Sequence, residues 1–551
     1  MFVAKVIARR FWILFVAGLL PCALLQHAAA QTAAASQGRL VSVDWLKQNL
    51  ARADVLVLDA SPAPLHRKQH IPGAVVADIF TFGPREVPPA QMEARMRSWG
   101  LSPGQQVVIV DQGGTYMATR LFWELLHYGL PAQSLFILDG GMARWTSAGG
   151  AVTDQPTPPR PTGTVRVTAQ VHDVRVKLPE FLAATADPQR HVMLEALDPE
   201  YFYGGAAFFS RGGHVPHATL MLADDFYNAD KTFKSPQEIQ RMLDHLGIRP
   251  DQEVLTYCGG GGAAAVPFFA LKFMLGYPRV RLFQESQLGW LQDSRDLPLW
   301  TYANPHLTRE TDWLKAWGGR MLKSFGLSQV TVVDVRSADS FKLGHVPLAV
   351  SVPVQGFLAH ADQPERLAAQ LGAAGLDATH EAVVFSGGGL NESAALAFLM
   401  LERVGQHKVS IHLDSLDRWV DRGLDVARPA AAGAAPARSL VYSPRPREDV
   451  LLSDAVNAAN APGLMPTVYV ASGASLPARQ PPGPVIHLPH GQFLDADGGP
   501  KAAKDIWTAM AKAGLPRYAR IVLLADRLGE AAVNYVVLRM MGFADIKVQL
   551  P

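Results

Sequence analysis

The sequence predicts an α/β chain built as four similar domains, each a mainly parallel sheet flanked by helices. Three observations predict it. Short Val/Ile/Leu runs alternate with longer stretches of helical spacing, three motifs recur in a fixed order, and the distance between those motifs holds from copy to copy. Alternating strands and helices imply parallel pairing, because each crossover returns the chain to the same end of the sheet.

The N-terminus stands apart from this pattern. Lys5, Arg9 and Arg10 precede the apolar run FWILFVAGLLPCALL, and Ala28-Ala29-Ala30 offers a small-residue cleavage site. That is the three-part layout of a secretory signal, expected over 1–30 and cut after Ala30. The run is shorter than the roughly 20 residues a spanning helix needs. Pro21 fits acylation of Cys22 poorly, so a lipoprotein is the lesser alternative to a periplasmic or secreted protein. No later stretch is long and apolar enough for a stable membrane span after cleavage.

The first copy, over 39–155, carries VLVLDAS, then QHIPGA, VVIVDQGGT and LFILDGGMARW. The second, over 163–303, carries HVMLEAL, GHVPHA, VLTYCGGGG and VRLFQESQLGW. The third, over 305–428, carries VTVVDVR, GHVPLA, AVVFSGGGL and VSIHLDSLDRW. From His70 to Trp145 is 75 residues, from His214 to Trp290 is 76, and from His345 to Trp419 is 74. A fourth copy over 439–551 is degenerate: it keeps TVYVASG, VIHLPHG, RIVLLADRLGEAA and IKVQL but ends before any such tryptophan. Linkers rich in proline or alanine, TDQPTPPRPTG and RPAAAGAAPAR, separate copies. Helical stretches such as ATRLFWELLHYG and AVPFFALKFMLGY stop near a glycine.

Composition narrows the function. The chain is 48% hydrophobic and 18% charged, with a net charge of +2, which argues for globular domains and against a strongly basic nucleic-acid binder. Cys258 is the only thiol left after cleavage at Ala30, so it has no internal disulfide partner. It sits in LTYCGGGGAAA, after the strand-like EVLTY and before a helical stretch with Pro267 near its start. The cysteine therefore falls at the carboxyl end of a strand, where open α/β sheets bind ligands. Amides and a helix N-terminus there favour an anion, and hence a thiolate. Glycines let successive N–H groups converge on one point; a β-branched residue at Gly260 or Gly261 would resist the positive φ this needs.

The recurring strand, His-(Ile/Val)-Pro turn, cysteine loop and late tryptophan resemble the rhodanese family of sulfurtransferases over about 39–551. The resemblance makes copy 2 the active domain and the other three inactive. It implies that Cys258 is the catalytic nucleophile and that the amides of Gly259, Gly260, Gly261, Gly262 and Ala263 cradle the substrate. It also implies a two-step transfer, in which a small-molecule donor leaves a persulfide on the cysteine and a thiol or cyanide-like acceptor, or a protein, takes the sulfur. No cofactor and no metal are expected. Asp111, Ser386 and Ala525 or Asp526 stand where the other copies would need a cysteine. Members specific for thiosulfate carry basic residues in the loop, and this loop has none. Glu195 and Leu197 replace the Asp-x-Arg that copy 3 keeps as Asp334 and Arg336. A donor less charged than thiosulfate follows, such as a persulfide, polysulfide or mercaptopyruvate, with Arg211 the nearest candidate cation.

Rival readings are weaker. A phosphatase-type loop needs arginine six residues after the cysteine, where Ala264 stands. Gly259, Gly261 and Ala264, with Glu285, match a dinucleotide pattern that the other copies do not keep. His214 and His217 suggest a metal, but His214 recurs as His70 and His345 in copies without a cysteine, so it reads as a turn residue. A non-catalytic persulfide carrier or envelope scaffold is the remaining alternative.

Overall fold

The computed structural model describes residues 37–319, 322, 328–428, 439–447, 449–453, 465–481 and 483–551. The expected signal over 1–30, with Cys22, lies outside them. Among the described residues no helix is long and apolar enough to cross a membrane.

Four five-stranded sheets follow one another along the chain, all with the same strand order. In the first, β1 (Leu40–Val41), β2 (Val55–Asp59), β3 (Val75–Val76), β4 (Gln106–Val110) and β5 (Leu135–Leu138) are arranged β1-β5-β4-β2-β3. In the second, β6 (Arg175–Val176), β7 (His191–Glu195), β8 (Thr219–Leu220), β9 (Glu253–Tyr257) and β10 (Val280–Phe283) repeat it as β6-β10-β9-β7-β8. The third uses β11 (Thr308–Arg309), β12 (Val330–Asp334), β13 (Val350–Ser351), β14 (Glu381–Phe385) and β15 (Lys408–His412) as β11-β15-β14-β12-β13. The fourth uses β16 (Leu451–Leu452), β17 (Thr467–Ala471), β18 (Val485–His487), β19 (Arg520–Leu524) and β20 (Ile546–Gln549) as β16-β20-β19-β17-β18. The α/β class with parallel sheets is what the alternating pattern predicts. β6-β10-β9-β7 and every pair of the other three sheets run parallel.

This order puts β4, β9, β14 and β19 at the centre of their sheets. They are short, rich in Val, Ile and Leu, and almost wholly buried, as strands covered on both faces must be. Beside each lies a strand whose following connection turns the other way. The crevice between the two is where such a sheet binds ligands.

The recurring histidines and tryptophans hold the copies together internally. His70 bridges to Thr153, His214 to Trp300 and His345 to Ala427 as isolated antiparallel pairs. Each ring bonds a nearby backbone carbonyl through Nδ1, that of His66, Phe202 and Phe341 respectively. Trp145, Trp290 and Trp419 are buried core residues.

The described chain forms two compact units. One takes the chain up to Asp198 together with Leu220–Gln240 and Arg249–Leu297; the other takes Pro199–Thr219, Arg241–Ile248 and Pro298–Pro551. The second copy therefore contributes chain to both. The helix after the cysteine loop also departs from expectation. Its α-helical part is only Ala265–Phe269, and Ala270–Met274 continues as a π-helix. There the Leu275 N–H reaches Ala270 O at 3.0 Å, and Gly276 follows at φ +73°.

Candidate functional site

Cys258 directly follows β9 and is 2% exposed. Its carbonyl accepts the Gln287 N–H at 3.0 Å, and the Gly259 carbonyl accepts the Leu288 N–H at 3.1 Å. Both donors lie in the helix Ser286–Leu291 that follows β10. The Gly261 N–H donates to Cys258 Sγ at 3.1 Å. The amides of Gly259, Gly260, Gly262 and Ala263 donate to no acceptor among the described residues. Gly259 and Gly261 are buried, whereas Gly260, Gly262 and Ala263 are half-buried.

The glycines are not equivalent. Gly261 alone in this loop has positive φ, +80°. A Cβ there would run into Gln284 O and lie 2.6 Å from Arg120 Nη1. A Cβ on Gly262 would lie 2.8 Å from the Tyr116 ring. Gly260 has ordinary φ, and a Cβ on it would meet only Pro84 Cβ, at 3.3 Å. The expectation of positive φ at Gly260 is thus corrected: one left-handed residue suffices to turn the amide onto the sulfur.

Ser286 is a residue the sequence reading missed. It is fully buried at φ +49°, and its Oγ accepts the Cys258 N–H at 3.1 Å, donates to Phe283 O at 2.8 Å and lies 3.9 Å from Sγ. Nothing in FQESQLGW marks it, because the contact depends on how β10 ends beside β9.

Tyr116 and Arg120 were missed for another reason: they come from the first copy. Tyr116 immediately precedes the helix Met117–His127, which is buried along its whole length and packs Phe122 edge-on to Phe269, 5.1 Å between ring centres. Burial, and then the charge at Cys258, holds the Tyr116 hydroxyl above the usual phenol range, while Arg120 opposes them. Arg120 is 3% exposed and donates through Nε and Nη2 to Glu124 Oε1, at 3.0 and 2.5 Å. The uncharged loop therefore does have a cation against it, carrying its own counter-charge.

The Asp-x-Arg position of the strand is built differently in the second and third copies. In the third copy Arg336 is committed to Asp334 and to Gly344 O, at 2.6 and 2.8 Å through Nη2. Glu195 is instead held by Tyr257 Oη and by Gln287 Nε2, the latter at 2.7 Å. Burial lifts its carboxyl to about 8 against those two bonds. Arg211 is half-buried in the 199–219 segment that groups with the second unit, whereas Cys258 belongs to the first.

The thiol-less positions are occupied by local structure. Asp111 accepts from Gly113 N, Thr115 Oγ1 and Ala118 N, at 2.8, 2.6 and 3.0 Å. Ser386 Oγ accepts from Asn391 Nδ2 at 2.8 Å. Ala525 is buried, and Asp526 accepts the Ala478 N–H at 3.1 Å. No cluster of three or more His, Cys, Asp and Glu among the described residues could hold a metal ion.

Several known proteins are similar to this chain. A family model for the rhodanese-like domain matches residues 42–148, 179–293 and 319–422; the fourth sheet lies outside these. The "Probable 3-mercaptopyruvate sulfurtransferase" of Pseudomonas aeruginosa is 30% identical over 289 residues, 47% of this chain and 97% of that protein. The "Sulfur carrier protein TtuD" of Thermus thermophilus is 27% identical over 274 residues, 46% of this chain and 93% of that one. A solved 3-mercaptopyruvate sulfotransferase from Escherichia coli aligns with 45% of this chain and 98% of its own, at 23% identity and a TM-score of 0.41.

Proposed function

The chain belongs to the rhodanese-like domain family, and from that premise we propose that it is an exported enzyme that carries sulfane sulfur on Cys258. It is a sulfurtransferase of rhodanese type. The observation that best supports the route is the Gly261 N–H on Cys258 Sγ at 3.1 Å, in a loop with further undonated amides beside it.

In the first step the Cys258 thiolate attacks the outer sulfur of the donor. The new Cys–S–S bond forms as the donor's own bond to that sulfur breaks. The leaving group departs with the electron pair: sulfite from thiosulfate, an enolate from mercaptopyruvate, a thiolate from a persulfide. In the second step an acceptor thiolate or cyanide attacks the terminal sulfur and Cys258 leaves as thiolate. No electrons are gained or lost overall, so no external oxidant is needed. The amides of Gly259, Gly260, Gly261, Gly262 and Ala263 would stabilise the anion at each stage.

The proposed donor is less charged than thiosulfate, because the Arg120 charge is already matched by Glu124 and the loop itself has none. Side-by-side kcat/KM values with cyanide as common acceptor test this; a clear preference for thiosulfate that survives Arg211→Ala overturns it. Arg211 is the proposed donor contact beyond the loop. An Arg211→Ala chain with unchanged KM for every donor removes it from the site. Export rests on the pattern over 1–30, and the mature protein is expected to begin after Ala30 on N-terminal sequencing.

A second reading, a persulfide carrier, is favoured by the relative named as a sulfur carrier and by three copies lacking the thiol. Multiple-turnover kinetics separate the two. An enzyme cycles with small-molecule donor and acceptor, whereas a carrier stalls after one sulfur per chain.

A further inference from the structure

The Arg120–Glu124 pair is an unusual thing to build behind a cysteine loop. Both side chains are buried, Glu124 completely, and the pair belongs to the first copy. Arg120 lies over the Trp123 ring, 5.4 Å from its centre. Its Nε and Nη2 are spent on Glu124, which leaves Nη1 facing the Gly261 turn. Glu124 Oε1 also receives Gln284 Nε2 at 3.4 Å, while Glu124 Oε2 and Gln284 Oε1 are buried with no hydrogen-bond partner among the described residues. A buried charge is costly unless matched, so this pair is a poor way merely to fill space. Gln284 O and Arg120 Nη1 together close the side of Gly261 where a Cβ would project. The same residue's N–H is the one on the sulfur.

We infer that Arg120 is a positioning residue for the Cys258 loop: it fixes the Gly261 turn and lends the thiolate a positive charge that Glu124 tempers. The inference rests on Cys258 being the nucleophile, as proposed above. It ties activity in the second copy to a helix of the first, whose own cysteine position is Asp111.

The two partners should act with opposite sign. Other titratable groups around the thiol are Tyr116 from the first copy, Tyr257 and Glu195 from the sheet, and Glu285 with Arg175 beside Ser286; all stay unchanged in the variants. Alkylation of Cys258 by iodoacetamide is followed at fixed, mildly acidic pH in the full chain, read on the Cys258 peptide. Arg120→Met is expected to slow it roughly three- to tenfold, and Glu124→Gln to speed it by a similar factor. A merely structural pair would move both rates the same way. Both variants should also change kcat for sulfur transfer. Rates that move together, or do not move, overturn the inference. If Arg120→Met does not fold, Glu124→Gln alone decides: faster alkylation supports the inference, and an unchanged or slower rate refutes it. Cys258→Ser keeps the two readings apart. Sulfur transfer persisting in that variant refutes the nucleophile itself, whatever Arg120 does.

Discussion

Gly261 and Gly260 are neighbours in sequence and opposites in consequence. Gly261 turns left-handed with backbone against the space a side chain would need; Gly260 does neither. Gly261→Ala combines roughly 1–2 kcal/mol of backbone strain with a steric clash, and should slow persulfide formation more than tenfold. Gly260→Ala should stay within about threefold of wild type. Single-turnover rates, with melting temperatures as control, check both. Glu195 makes a different residue-scale prediction. Its carboxyl is lifted to about 8 in the fold, so between about 4.3 and 8 the native state keeps a proton the unfolded chain has released. Stability from this group is therefore full below that window and is lost as pH rises through it. Glu195→Gln carries no such proton. Its urea midpoint relative to wild type should climb steadily between about pH 5 and about pH 8, and a difference that stays flat contradicts the assignment.

At the scale of elements, the site depends on pieces that meet only in the fold. Arg175, at the start of β6, pairs with Glu86 from the first copy and with Glu285, the residue before the helix that carries Ser286. Glu86 also meets His127 Nε2 at 3.2 Å. Burial alone would raise the Glu86 carboxyl, but Arg175 and His127 hold it down at about 2. Its contribution to stability is then present above the ordinary carboxylate range and lost as pH falls toward 2. Glu86→Gln should cost roughly 1–3 kcal/mol at neutral pH, read from chemical denaturation, and the difference should vanish in acid. β9, its loop and its cysteine are legible in the sequence, because the strand-like EVLTY ending at Cys-Gly-Gly marks where a strand stops. Tyr116, Arg120 and Ser286 are not legible, since no local spacing says which distant helix or strand end will lie against a loop. The π-helical turn at Ala270–Met274 carries no compositional signal either.

For the whole molecule, the repeat announces the four sheets, but repeat and compact unit do not coincide. Tyr203 belongs to the second copy, yet it stacks on Trp507 at 5.3 Å and donates to Met541 O at 2.7 Å within the second unit. A chain ended after Ala303 would strip that partner away. It should melt lower and transfer sulfur more slowly than the full chain, and Tyr203→Ala alone should cost about 3–5 kcal/mol. A truncated piece with full stability and kcat would show that the third and fourth copies are dispensable. The claim on which everything else rests is that Cys258 carries the sulfur. Mass spectrometry of the protein after exposure to donor tests it most directly: the Cys258 peptide should gain about 32 Da, the mass of one sulfur atom, and lose it on adding cyanide. An unmodified Cys258 peptide in a preparation that is turning over donor would contradict the account.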